Sequence, residues 1–319
     1  MPDFTPNTYK LLLSTLLDQN YSFQPFIDFL RNPEPRSVIL RHDVDARKVN
    51  SLKTAILENE LGIRGTYYFR MVPESFDPEV IKKIAGLGHE IGYHYEDLSV
   101  TAQRRRGAEA QGRKDKKDEE LLAKIAIDNF RKNLEKLRRI VPVETICMHG
   151  SPLSRRDNRI LWKYFNYRDF GIVGEPYFDI DFEKVLYLTD TGRRWDGVSI
   201  RDKATRKEEM IRREGDEEKE REEMMRRGGD EEKGRGGDKE YRDKVIPPSP
   251  FHPLSHSFYK FHSTFDIIAA ARENRLPDHI MLTIHPQRWD DRILPWLKEL
   301  IWQNVKNIVK GAVVKRPVD

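Results

Sequence analysis

Several stretches of the chain run from apolar residues straight into ionisable ones. Ser37-Val-Ile-Leu-Arg-His-Asp-Val-Asp45 passes from three aliphatics to Arg41, His42, Asp43 and Asp45. His94, His149 and His285 close or follow three further stretches, His89-Glu-Ile-Gly-Tyr-His94, Val143-Glu-Thr-Ile-Cys-Met148 and Ile280-Met-Leu-Thr-Ile284. Each stretch reads as a short strand. If the first persists to its last residue, alternation puts Arg41, Asp43 and Asp45 on one face, His42 and Val44 on the other. Two carboxylates side by side repel unless a cation or a shared proton relieves them. A Zn²⁺-like ion takes nitrogen and carboxylate donors, usually three, with one position left for water. Asp45, His94 and His149 could supply that set.

Plainer readings stand beside this one. The charges could be a solvated strand end. His94, among aromatics, could be a hydrogen-bonded core histidine. His149 could cap the Gly150-Ser-Pro152 turn, and His285, before Pro286, could simply be held extended. His42 is expected to be structural, facing away from Asp43. So is His89, which enters its strand at the end opposite the rim. His252, His256, His262 and His279 have no partner that the sequence names.

Positioning these groups needs a parallel sheet. Residues 9–17 read as a leucine-rich amphipathic helix and 23–30 as a second helical turn or two. Residues 51–61 have helical spacing and stop at Gly62. A strand over 65–70 follows, then a helix over 77–87 with Pro78 at its first position and Gly88 after its end. Residues 101–120, charged and poor in apolar side chains, read as a surface loop leading into a helix over 122–140. A helix over 156–165, a strand over 185–189 ending in Asp190-Thr-Gly192, and a closing helix over 292–305 complete the list. The alternation of strands and helices predicts an α/β chain with a parallel sheet or barrel. In such folds ligands gather at the carboxyl ends of the strands.

Residues 201–244 differ in kind, being nearly all Arg, Lys, Glu, Asp and Gly, with Gly215-Asp-Glu-Glu-Lys219 recurring at 229–233. Such a stretch cannot bury enough apolar surface to offset its ordering entropy. It reads as a disordered insertion, with 1–200 and 245–319 forming one β/α barrel domain. Lys plus Arg exceed Asp plus Glu by only 57 to 53, too little to suggest a nucleic-acid partner. The single cysteine, Cys147, excludes an internal disulfide and a cysteine-based zinc knuckle. No apolar run reaches membrane-spanning length and no signal peptide is visible, so a cytoplasmic protein without a membrane partner is expected.

The set Arg41-His-Asp-Val-Asp45, Gly65-Thr-Tyr-Tyr-Phe69, Gly88-His-Glu-Ile-Gly-Tyr-His94, His149-Gly-Ser-Pro152 and Leu282-Thr-Ile-His285 resembles, in order, the motif series of the polysaccharide deacetylase family. The resemblance covers most of 37–289 apart from the insertion. It implies a distorted (β/α) barrel of about seven parallel strands and metal-dependent N-deacetylation of acetylated sugars. It implies Asp43 as base, Asp45 and His94 as metal ligands, and His285 as acid. The chain departs from the family in two places. Val44 separates aspartates that are adjacent there, and Leu98 stands where the family has its other metal histidine. His149 is then the candidate third ligand, with Glu96 and Asp97 as nearer alternatives, and a divergent branch is implied.

Zn²⁺ is the expected ion, and an acetylated carbohydrate or other small amide the expected partner. Tyr93, Tyr95, Trp195 and Trp289 could line a cleft and stack on a sugar. Asp190 could hydrogen-bond substrate or orient a catalytic group. Two rivals remain, a hydrolase of another amide or an ester on the same scaffold, and a non-catalytic carbohydrate-binding descendant, which Leu98 favours.

Overall fold

The computed structural model describes residues 2–106, 116–150, 157–195, 259 and 261–292. The insertion at 201–244, the helix expected over 292–305 and the domain boundaries drawn around them lie outside these residues, apart from Arg292 itself.

The first helix, α1 (Pro6–Asp18), starts where Thr5 accepts a hydrogen bond from the Thr8 N–H and Pro6 takes the first turn. Strand β1 (Ser22–Gln24) and helix α2 (Phe26–Arg31) follow. This corrects the helix expected from residue 23: Phe23 is a strand residue, and Pro25 is where the helix begins. Strand β2 (Ser37–Val44), helix α3 (Lys48–Glu60), strand β3 (Thr66–Phe69), helix α4 (Pro78–Gly86) and strand β4 (Glu90–Tyr95) give the expected alternation. Asp77 caps α4 through the Glu79 and Val80 N–H groups. Gly62 and Gly88, both at positive φ, follow α3 and α4.

Helix α5 (Asp97–Arg106) is the second correction, since part of it falls where a surface loop was expected. Its polar sequence still packs on helix α6 (Lys116–Arg138), because Leu98, Thr101 and Ala102 all face inward. Beyond strand β5 (Ile146–Met148), the expected α-helix is a 3₁₀ helix, Asn158–Lys163. The short helix α7 (Pro176–Asp179), strand β6 (Leu186–Thr189), helix α8 (Thr264–Arg272) and strand β7 (His279–Ile284) complete the described fold.

Six strands lie in the order β5-β4-β3-β2-β7-β6, all parallel, curled into a half-barrel with helices between strands. The three-residue β1 pairs with the lower half of β2, on the edge that β3 takes over from Arg41 onward. The outer face packs on the helices in two clusters. Tyr67, Phe69, Tyr93 and Tyr95 meet α4 and α6 in one, and Leu40, Leu188 and Leu282 meet α1 and α8 in the other. Leu12, Leu13 and Leu16 of α1 are almost wholly buried, each contributing roughly 1.5–3 kcal/mol.

The concave face carries its own small core, including Ile39, Tyr68, Cys147, Tyr187 and Met281. Gly92 belongs there for a steric reason. A Cβ at that position would lie 2.2 Å from the ring of Tyr68, which covers it. Because all six strands run the same way, the ends of β2, β4, β5 and β7 reach one rim.

Candidate active site

β2 sits between β3 and β7 and ends at that rim. Arg41 and Asp43 point into the concave face, and Asp45 follows immediately after the strand. Arg41 grips Asp43 with two hydrogen bonds, Nε to Oδ1 at 2.8 Å and Nη2 to Oδ2 at 2.7 Å. Burial alone would raise the Asp43 carboxyl, but Arg41, His94 and His285 bring it down to about 2. It is therefore an ionised carboxylate held in one orientation.

Around Asp45 the geometry is looser. Its Oδ1 lies 3.6 Å from His94 Nε2 and 3.4 Å from His149 Nε2, and it is a buried oxygen without a hydrogen-bond partner. One donor atom from each of Asp45, His94 and His149 falls within a 4.8 Å span. Burial alone would raise the Asp45 carboxyl, but His94, His149 and His285 hold it well below the usual range. Bond lengths to Zn²⁺ near 2.0–2.1 Å make the ligand-to-ligand edge of a tetrahedron about 3.4 Å. The two oxygen–nitrogen separations are close to that edge and too long for hydrogen bonds. An orphaned oxygen with two imidazole nitrogens around it fits a divalent ion, and these are residues that could hold one.

Both histidines are braced from behind. His94 Nδ1 is 3.0 Å from the Cys147 carbonyl, so it carries a hydrogen, and Nε2 is turned toward Asp43 and Asp45. His149 Nδ1 is 2.9 Å from Glu96 Oε2. Arg70 holds Glu96 through Nε and Nη2 at 3.0 and 2.8 Å, and donates from Nη1 to the Asp45 carbonyl. Burial opposes ionisation of Glu96, but His149 and Arg70 bring its carboxyl down to about 2. Histidine ligands are commonly fixed by such a carboxylate or carbonyl.

The expected acid, His285, is the most tightly oriented group. Its Nδ1 is 2.5 Å from Asp190 Oδ1, and its backbone N–H donates to Asp190 Oδ2 at 2.9 Å. Arg288 Nη1 and Trp289 Nε1 also donate to the Asp190 carboxylate, at 2.7 and 2.8 Å. Burial would raise Asp190, but His285 and Arg288 lower it. His285 Nε2 then faces the two aspartates, 4.0 Å from Asp43 Oδ2 and 3.9 Å from Asp45 Oδ2.

All five expected site residues, Asp43, Asp45, His94, His149 and His285, therefore meet at one rim. Of the alternatives for the third position, Glu96 stands behind His149. Asp97 points outward to the Tyr93 hydroxyl and Asn133. Leu98, where the resemblance leads one to expect a histidine, is buried in the helix-side core.

The four aromatics expected to line a cleft do not do so. Tyr93 and Tyr95 flank His94, so alternation sends both to the helix side, where they pack on Phe130. Trp195 and Trp289 are buried beside Phe4.

Sequence reasoning missed Arg70 and Gln287, whose Nε2 donates to Asp45 Oδ2 at 3.3 Å. It also left Arg41 without a role, although alternation placed it on the same face as Asp43. No family model matches the chain, and neither does any curated protein or solved structure.

Proposed function

We propose that this chain is a metal-dependent hydrolase of the polysaccharide deacetylase type, on a distorted β/α barrel, removing acetyl groups from an N-acetylated sugar. The single observation that carries the reading is the Asp45–His94–His149 cage, with edges of 3.4 and 3.6 Å around an unpartnered oxygen. In this reading Asp45, His94 and His149 hold the ion, expected to be Zn²⁺, and His149 replaces the histidine that Leu98 displaces.

A divalent ion bound there supplies a water of near-neutral pKa and Lewis-acid polarisation of an amide carbonyl. The chain's own groups supply the rest. Asp43, kept ionised by Arg41, can take up a proton at Oδ2. His285 presents Nε2 as the atom that gives a proton to the departing amine, while Asp190 at Nδ1 stabilises the imidazolium. Base and acid face each other across about the width of one reacting group, as acyl transfer requires.

The rival reading of a non-catalytic sugar-binding protein loses its aromatic platform, because the four candidate rings are spent in core packing. The test is metal content together with acetate release. Purified protein is expected to carry about one divalent ion per chain and to release acetate from N-acetylated sugars. Protein that stays metal-free after zinc supplementation would refute the cage. Hydrolysis of simple esters or cyclic amides alone would move the activity to the rival hydrolase.

A further inference from the structure

Beneath the cage lies a second group of potential ligands. Asp43, His94 and Cys147 each offer a donor atom within a 4.8 Å span, and all three side chains are buried. The two groups share His94, whose Nε2 stands 3.6 Å from Asp45 Oδ1 and 3.7 Å from Asp43 Oδ2. The outer group has one oxygen and two nitrogens. The inner has one oxygen, one nitrogen and one sulfur.

We infer that Asp43, His94 and Cys147 form a second, thiophilic metal position that excludes occupation of the outer one. Thiolate is the donor that soft and borderline cations prefer, so the two sets differ in which ion they favour. The pair register of β4 and β5 sets His94 opposite Cys147, which brings the sulfur to the concave face beside the histidine. The Cys147 Sγ–H makes a long, weak hydrogen bond of 3.7 Å to the neighbouring Met148 carbonyl, which a metal ion can readily displace.

An ion there would be met by an ionised Asp43 and a Cys147 thiolate, with one proton leaving the thiol for solvent as the ion binds, while Arg41 on Asp43 offsets part of that negative charge. Exclusion follows from His94. Its Nδ1 is committed to the Cys147 carbonyl, so only Nε2 can ligate, and it can serve one ion at a time. An ion in the inner position also occupies Asp43. A soft cation would therefore silence the chain without displacing substrate, which rests on the function proposed above.

The probe is Cd²⁺ titrated into the chelator-stripped full-length protein. Ultraviolet cadmium–thiolate charge-transfer absorption and elemental analysis are read together. Wild type is expected to bind one ion per chain with the thiolate band. Cys147→Ser is expected to lose the band while Asp45, His94 and His149 still hold one ion. Asp45→Asn is expected to keep the band. Cys147→Ala, checked by circular dichroism, guards against a folding defect peculiar to serine.

Wild type holding one cadmium without the band would overturn the inner position and leave the outer cage standing. Two cadmium ions per chain would overturn the exclusion. A band in wild type and Asp45→Asn, but no cadmium at all in either folded Cys147 variant, would uphold the inner position and overturn the outer cage. No cadmium in wild type would overturn both.

Discussion

Strand β2 serves two buried clusters of opposite character. On its concave face stand Asp43 and, just beyond, Asp45, with His94, His149 and His285. On its convex face stands His42, packed against Glu58, His89, Tyr9 and Tyr67. The convex cluster is closed on itself. Glu58 accepts from Tyr9 at 2.6 Å and Tyr67 at 2.9 Å, and lies 2.8 Å from His42 Nε2. His42 Nδ1 meets the Thr66 carbonyl at 3.1 Å, so both its nitrogens face acceptors. His89 takes the Gly65 N–H at Nδ1 and gives its Nε2–H to the Ala55 carbonyl. Burial pushes His89 down, and against burial His42, His89 and Tyr9 together bring the Glu58 carboxyl below its ordinary value.

The concave cluster keeps its histidine nitrogens 3.4–4.0 Å from the Asp43 and Asp45 carboxylates, and one of those oxygens, Asp45 Oδ1, has no hydrogen-bond partner. Similar residue types on one strand thus yield a finished structural network on one side and an incomplete one on the other. Gaps of ion-bridging length, rather than burial or residue type, separate the two.

The largest effect should follow from removing the centre of the open cluster. Asp45→Asn, made in the Cys147→Ser background so that the inner position cannot hold the ion, is expected to abolish zinc binding and, with it, acetate release, with the protein still folded by circular dichroism. Full zinc content in this variant, measured by elemental analysis, would erase the contrast. Removing the centre of the closed cluster should do the converse. Glu58→Ala leaves the buried Tyr9 and Tyr67 hydroxyls and His42 Nε2 without their shared acceptor and is expected to cost about 3–5 kcal/mol of folding stability. Urea unfolding reads this, and zinc content of the folded fraction should stay at the wild-type level.

Half of this contrast was legible in the sequence. Period-two alternation assigned His42 and Asp43 to opposite faces, and strand ends pointed to one rim. The same alternation, applied to Tyr93 and Tyr95 beside His94, would have sent both rings to the core. The braces were not legible. Arg70 reaches Glu96 from the neighbouring strand, and Asp190 reaches His285 across 95 residues of sequence. Strand β1 was hidden because three residues are too few to show a period. Helix α5 was hidden because its buried face is built from Thr101 and Ala102 as much as from Leu98.

A smaller effect should sharpen the comparison at His149, the one ligand candidate whose brace is a carboxylate. Glu96→Gln keeps the shape and loses the charge. Loss of such a partner typically weakens metal binding 10–100-fold. Competition with a chromophoric chelator measures it. An unchanged affinity would mean that Glu96 merely fills space behind His149.

The mildest prediction concerns a carboxyl that belongs to neither cluster. Glu175 is fully buried, capping α7 through the Tyr177 N–H and accepting from the Met148 N–H at 3.0 Å. Burial outweighs these bonds and the nearby Arg41, pushing its carboxyl up to about 7 from an ordinary 4.5. Asp97, likewise raised by burial, lies at about 6. In both cases the folded state holds its proton more tightly than the unfolded chain. Their stabilising contribution is complete below about pH 4 and is lost as pH climbs through 6 and 7. The depressed carboxyls, Asp43 and Glu96 at about 2, act in a separate window below pH 4.5 and in the opposite direction. Glu175→Gln carries no titrating proton, so it removes one component of the decline and leaves that of Asp97. The variant should therefore gain on wild type as pH rises from 5.5 to 6.5, by at most about 1.4 kcal/mol per pH unit. Urea unfolding of both proteins at the two pH values checks this, since histidine titration common to both cancels in the difference. Parallel pH profiles would show that the Glu175 carboxyl is ionised throughout, its charge carried by the two N–H groups and Arg41.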